Sequence, residues 1–123
     1  MKSFRSKGSQ FELDVAYNLS KVDTDVRRLY GEGQVLQYDI ESKNYVVECK
    51  FHKSISWNEA MKYFLKLKEK TKNKNKIPLL IFKSNRQPVL VMFELHHIFV
   101  VKFEDFFHIK FESHLKAKKN KIR

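Results

Sequence analysis

Apolar residues at Phe11, Val15, Ala16 and Leu19 recur at helical spacing, which predicts an amphipathic first helix from about Ser9 to Leu19 or Lys21. Its start reads "SQFE", where the Ser9 hydroxyl and Glu12 suit a capping box. A polar link with Asp23 and Asp25 follows, and strand character returns around Val26 to Tyr30. "QVLQYDIE" and "NYVVECKF" then read as two strands paired across a turn near Glu41 to Asn44. A second helix opens at "SWNEA", with Ser56 and Glu59 as another capping box and apolar positions at Trp57, Ala60, Met61, Phe64 and Leu67. It ends in "KTKNKNK", Lys70 to Lys76, an exposed basic loop. "IPLLIFKS", "QPVLVMFEL" and "HIFVVKF" supply three more strands, the first two joined through Ser84, Asn85 and Arg86, and "EDFFHIKFESHLKAKK" supplies a last helix. This order predicts an α/β fold: a mixed central β-sheet flanked by helices, one of which crosses over between the hairpin and the later strands. With three Gly and two Pro, the turns fall mostly to Asn, Ser and Asp.

Composition adds scale and setting. The 123 residues are 42% hydrophobic and 14% aromatic, enough for one compact domain spanning residues 1–123. A lone cysteine, Cys49, has no partner for an internal disulfide, and no apolar run is long enough to cross a bilayer or act as a leader. The expectation is a soluble, intracellular protein, cytoplasmic and reducing, with no membrane partner. Its richness in Lys, Asn, Ile and Phe also fits an AT-rich coding genome such as a virus's.

Charge points to the partner. Lys and Arg number 25 against 14 acids, a net charge of +11, which favours a polyanion through local potential and counterion release. Much of the excess sits at the ends, in Lys2, Arg5 and Lys7 and again in Lys116, Lys118, Lys119, Lys121 and Arg123. Setting those eight aside, the rest of the chain is only mildly basic. These segments, at about residues 1–8 and 116–123, suit either phosphate contact or simple solvation.

The hairpin carries the candidate chemistry. Glu48 and Lys50 are two residues apart, so on a strand they share a face, while Val47 and Cys49 point the other way. If Glu41 pairs with Asn44, Asp39 lies opposite Val46, on the face of Glu48 and diagonal to it. Two carboxylates and a lysine at a sheet edge suit phosphodiester hydrolysis. Asp39 and Glu48, with the backbone carbonyl of Cys49, can hold Mg²⁺ and leave room for water and a phosphate oxygen. Lys50 would then orient or help deprotonate the water and stabilise the charge of the transition state. The competing reading is an ordinary surface ion pair of Glu48 with Lys50 or Lys53. Glu12 borders the first helix's apolar stripe and serves either the cap or this acidic centre.

"KGSQFELDVAYNL" from Lys7 to Leu19, then Asp39, then "VVECK" ending at Lys50, resembles the layout of archaeal-type Holliday junction resolvases in the PD-(D/E)XK nuclease superfamily. The resemblance covers about Lys7 to Phe64 and, more loosely, the later strands. It implies a restriction-endonuclease-like core and a homodimer that binds four-way DNA junctions and cuts them symmetrically with Mg²⁺, or with Mn²⁺ in its place. Position by position, Glu12, Asp39, Glu48 and Lys50 match the active-site motif, and Lys7 and Gly8 match the segment that approaches the DNA backbone. Leu13 stands where the family has a basic residue, and "YGEGQ", Tyr30 to Gln34, replaces a serine-bearing segment.

Other residues divide between DNA contact and structure. His52 shares the cluster's face and, with Lys53, Lys2 and Arg5, is a candidate phosphate contact. Arg27, Arg28 and Arg86 read either as phosphate contacts or as ordinary cations. His96 and His97 are adjacent and cannot easily share a metal. Phe103, Phe106, Phe107 and Phe111 at helical spacing favour a core or dimer surface over base stacking, and Trp57 reads as packing. The function this supports is a metal-dependent endonuclease acting on branched DNA. A repair or restriction-type nuclease, or a basic DNA-binding protein without catalysis, remains as an alternative.

Overall fold

The computed structural model describes residues 7–29 and 38–108. In chain order these form α1 (Lys7–Leu19), β1 (Arg27–Arg28), β2 (Ile40–Glu41), β3 (Tyr45–His52), α2 (Trp57–Lys70), β4 (Ile77–Ser84), β5 (Leu90–Leu95), β6 (His97–Lys102) and the short α3 (Phe103–Phe106). The strands make one sheet in the order β1-β2-β3-β4-β5-β6. β3 and β4 are parallel and every other neighbouring pair is antiparallel, so the sheet is mixed, as expected. Parallel neighbours need a crossover to bring the chain back to the same end, and α2 provides it. Among the described residues no helix is long and apolar enough to cross a membrane.

Each sheet face has its own apolar cluster. On one side Phe11, Val15 and Leu19 of α1 pack on Ile40, Tyr45, Val47, Cys49, Leu79, Ile81, Val91 and Phe93. On the other, Ala60 and Phe64 of α2 cover Leu80, Phe82 and Met92, while Leu67 meets Val46, Leu29 and Tyr38. The run Leu79 to Phe82 is buried without alternation because β4 lies between both helical layers. Each such side chain contributes about 1.5–3 kcal/mol through removal from water.

Several local expectations change. Ser56 caps α2 as foreseen: its hydroxyl accepts from the Glu59 N–H at 3.1 Å, and Glu59 Oε1 accepts from the Ser56 N–H at 2.8 Å. The Ser9–Glu12 box does not form, because α1 already starts at Lys7 and Ser9 lies inside its first turn. Trp57 is 55% exposed, not packed, since α2 first meets the sheet at Ala60. Phe106 is buried against Phe93 and Tyr45, and residues 109–123, with Phe111 and the basic tail, lie outside the described residues. Among the described residues Asp25, Asn75, Arg86 and His96 take the left-handed conformation; Asp, Asn and His are types enriched there, whereas Arg86 carries its steric cost.

The hairpin register also differs. Ile40 pairs with Val47 and Glu41 with Val46, rather than Glu41 with Asn44. The connection is Lys43–Asn44, closed by the Ser42 N–H donating to Tyr45 O at 3.0 Å. The cause is Asp23, outside the hairpin. Its Oδ2 accepts from the Ser42 hydroxyl at 2.6 Å and the Asn44 N–H at 3.0 Å, and its Oδ1 accepts from Asn44 Nδ2 at 2.9 Å. Without glycine to take the left-handed turn that two-residue hairpins prefer, a carboxylate clasp supplies the closure.

Glu41, almost fully buried on β2, gathers the lysine loop onto this hairpin. Lys76 Nζ lies 2.7 Å from its Oε2 and 2.7 Å from Ser42 O, Lys74 Nζ is 3.6 Å away, Arg27 is at 3.5 Å, and the Tyr38 hydroxyl donates to it at 3.0 Å. Burial alone would raise this carboxyl, but the Lys76 and Tyr38 hydrogen bonds outweigh it and hold it below the usual glutamate value. A lowered folded-state value makes the ionised form stabilising, and that stability is lost as the pH falls through it. Glu41→Gln is therefore expected to cost on the order of 2 kcal/mol at neutral pH. In urea melts the gap from wild type should be full above the ordinary value of 4.5 and narrow in more acid solution.

Candidate active site

Asp39 stands where the β2–β3 ladder ends. Its N–H donates to Val47 O and its carbonyl accepts from the Leu29 N–H, both at 2.9 Å, so neighbouring backbone fixes it on both sides. Its carboxylate Oδ2 accepts from the Cys49 N–H at 2.7 Å. Burial, then the adjacent Glu48 charge, pushes this carboxyl up to about 7; Glu12 adds to the rise, while the Cys49 N–H and Lys50 oppose it. The centre therefore holds more negative charge than its surroundings compensate.

Glu48 and Lys50 follow the strand period and share a face, as expected. Lys50 Nζ lies 3.1 Å from Glu48 Oε2 and 4.8 Å above the ring of Tyr63 on α2. Burial works against the ammonium, yet Glu48 outweighs it and raises Lys50 above its ordinary value. Lys50 is thus a cation at neutral pH, suited to orienting water and stabilising anionic charge rather than to accepting a proton. Tyr63 went unnoticed in the sequence. Its signal was a polar-tipped aromatic in the stripe of Ala60, Phe64 and Leu67, all three of which are buried.

Glu12 comes from α1, across the sheet edge. Arg28 Nη2 of β1 lies 3.3 Å from its Oε1 and also reaches Ser9 O at 3.5 Å, tying the helix start to the strand that flanks Asp39. Cys49 turns its thiol into the core under α1, and burial raises that thiol well above its usual range. Any contact of Cys49 with an ion is left to its backbone carbonyl.

The candidate DNA contacts are spread out. Lys7 and Gly8 open α1, and a Cβ at Gly8 would meet nothing within 4 Å, so packing does not require glycine there. His52 ends β3 with its ring edge-on to Tyr63 at 6.1 Å, and Lys53 follows it, exposed. Lys2 and Arg5 lie outside the described residues.

Among the described residues no three His, Cys, Asp or Glu side chains are gathered tightly enough to hold an ion. Each acid has instead turned to a donor of the protein: Asp39 to the Cys49 N–H, Glu48 to Lys50, Glu12 to Arg28. The donor set is nonetheless all carboxylate oxygen, the hard ligand type that Mg²⁺ and Mn²⁺ take, and the raised Asp39 marks where added positive charge relieves repulsion.

Comparison with known proteins bears on the fold and the family. No curated protein matches the sequence. Among solved structures the fold is similar to that of Hjc, a Holliday junction resolvase from the archaeal hyperthermophile Archaeoglobus fulgidus. The TM-score is 0.50 at 19% identity, over 80% of this chain and 86% of that one. The sheet and its flanking helices are those of a PD-(D/E)XK nuclease. Residues 3–123 match the family described as phage putative PDDEXK endonuclease, a span that takes in α1, the hairpin and every acid discussed above, and the chain therefore belongs to that endonuclease family.

Proposed function

We propose that this protein is a metal-dependent DNA endonuclease that cuts four-way junctions as a homodimer, with Asp39, Glu48, Glu12 and Lys50 as its catalytic centre. The observation that carries the reading is the half-buried Asp39 carboxylate, held by the Cys49 N–H and raised to about 7 beside Glu48 and Glu12, with the Lys50 ammonium adjoining. Structural ion pairs settle acids below their ordinary values, as Glu41 does; Asp39 does the opposite.

Nucleases with this motif generally use divalent ions. Asp39 and Glu48, with Glu12 and the Cys49 carbonyl, are the residues that would hold one, and a bound Mg²⁺ or Mn²⁺ would make its water more acidic and polarise a phosphate oxygen. The chain's own groups do the rest. The Cys49 N–H keeps the Asp39 carboxylate aimed, and Tyr63 and Glu48 keep the Lys50 ammonium beside it. From there Lys50 orients the water for in-line attack on phosphorus and stabilises the charge that builds on the non-bridging phosphate oxygens, while the water's proton passes to solvent and the opposite P–O bond breaks.

A two-fold dimer would present two such centres to the pseudo-symmetric arms of a junction, giving paired nicks. The similarity to an archaeal resolvase supports this choice of substrate. Recognition would rest on shape and phosphates, with affinity falling steeply in salt.

With Mg²⁺, purified protein is expected to nick a synthetic four-way junction near its centre. Asp39→Asn and Lys50→Ala should each bind it while cutting at least about 100-fold more slowly. Equal cutting of linear duplex would reassign the protein as a general nuclease, and binding without cleavage in either Mg²⁺ or Mn²⁺ would leave a non-catalytic DNA binder. Metal should also register in stability. Because folding raises Asp39, its ionisation destabilises the fold progressively from the ordinary value of 3.8 to about 7, and fully above that. Saturating Mg²⁺ or Mn²⁺ is expected to raise Tm by roughly 5 to 10 °C at pH 8, by clearly less at pH 5, and hardly at all in Asp39→Asn.

A further inference from the structure

We propose that Arg27, Lys74 and Lys76, assembled around Glu41, form a second DNA-backbone contact that holds a phosphate beside the one being cut. The inference rests on the nuclease reading above and names a binding surface for it. Three cations converge on one carboxylate, which leaves an excess of two positive charges at a fixed position. Lys76 alone satisfies the structural need, since it bridges Glu41 Oε2 and Ser42 O at 2.7 Å each. Arg27 and Lys74 sit further off, at 3.5 and 3.6 Å, and their side chains are 60% and 39% exposed. Lys74 also hydrogen-bonds the Tyr38 hydroxyl, and part of each side chain stays open to solvent at a point the fold has already set.

The position relative to the active site gives the cluster its role. Glu41 pairs with Val46, so Glu48 is its diagonal neighbour, roughly 7 to 8 Å away on the same face. One face of the hairpin therefore carries the Glu48–Lys50 pair, then Val46 covered by Leu67, then the Glu41 cations. Lys74 also lies 5.9 Å from the ring centroid of Tyr38, and Tyr38 immediately precedes Asp39. A strand that approaches from the side, with one phosphate at Asp39 and Glu48, brings an adjoining phosphate to the exposed Arg27 and Lys74 without crossing Val46, which Leu67 covers. Such a contact contributes counterion release and orientation but no base readout. It also offsets the repulsion that three clustered carboxylates exert on a polyanion.

The test uses the full-length chain carrying Asp39→Asn, which is expected to bind without cutting, and follows binding to a four-way junction by fluorescence anisotropy across a KCl series. Adding Arg27→Gln and Lys74→Gln together should reduce the slope of log K against log salt by about 2, and Lys74→Gln alone by about 1. The same loss of charge on exposed positions of α2, by Lys62→Gln with Lys66→Gln, should leave the slope unchanged. Thermal melts identify the folded variants, and the single variant decides the matter should the double one unfold. An unchanged slope in a folded Lys74→Gln protein, or equal slope losses from both double variants, would overturn the second contact and leave the nuclease intact. Failure of the Asp39→Asn parent to bind any DNA would overturn both.

Discussion

One carboxylate outside the hairpin decides what the hairpin can do. Asp23 takes three hydrogen bonds from Ser42 and Asn44, and so fixes which residues of β2 and β3 face each other. A slip by one residue would exchange the faces of an entire strand, sending acids into the α1 core and apolar residues toward the catalytic side. The observed register differs from the simplest expectation by two residues in pairing, and therefore preserves every face. That is why Asp39 still meets Glu48 and Lys50 although the turn lies one residue later along the chain.

The centre that results is electrostatically costly. Asp39 is half-buried near two other acids, and a backbone N–H is its close donor among the described residues. Apolar clusters on both sheet faces hold the strands in place, so the local repulsion is carried by packing elsewhere rather than relieved by rearrangement. The contrast with Glu41, two residues along β2, is instructive. There a carboxylate of the same chemistry is over-compensated by cations and becomes a structural tie. What separates the two is the charge around them: cations about Glu41, acids about Asp39.

Much of this was legible in the sequence, and the failures have physical causes. Helical and alternating periodicities located α1, β3, α2, β4 and β5 because each buries an apolar stripe, and β6 because its half-buried Ile98, Val100 and Val101 still alternate with polar or exposed positions. β2 lies within the "QVLQYDIE" strand read from the sequence and pairs with β3 as read, whereas the two-residue β1 has no stripe to read and Val26 to Tyr30 was placed only as a region. Ser9 looked like a cap because its spacing to Glu12 is right, but helix starts depend on backbone partners that local spacing does not reveal. Glu41, Lys74 and Lys76 read as a turn residue and an exposed loop, since their meeting depends on β4 returning beside β3. The same applies to Arg28 with Glu12 and Tyr63 with Lys50: each joins residues remote in sequence through tertiary packing. The acids themselves were readable because strand geometry sets D-x₈-E-x-K within one hairpin.

A nuclease of net charge +11 whose proposed centre is a set of acids must solve two opposed problems. Phosphate has to be drawn in from a distance, yet the groups that meet it at the centre repel it. The net positive charge of the chain addresses the first problem, since its field steers a polyanion within the screening length of about 8 Å at physiological salt. Net charge alone does not address the second, because the groups nearest the phosphate are the acids themselves. Cations fixed close to the proposed centre do, provided they do not pair with its acids so tightly that those acids lose their affinity for metal. Holding such cations on a separate carboxylate, one diagonal away on the same strand pair, meets both demands: Glu41 keeps Arg27 and Lys74 near Glu48 without letting them neutralise it.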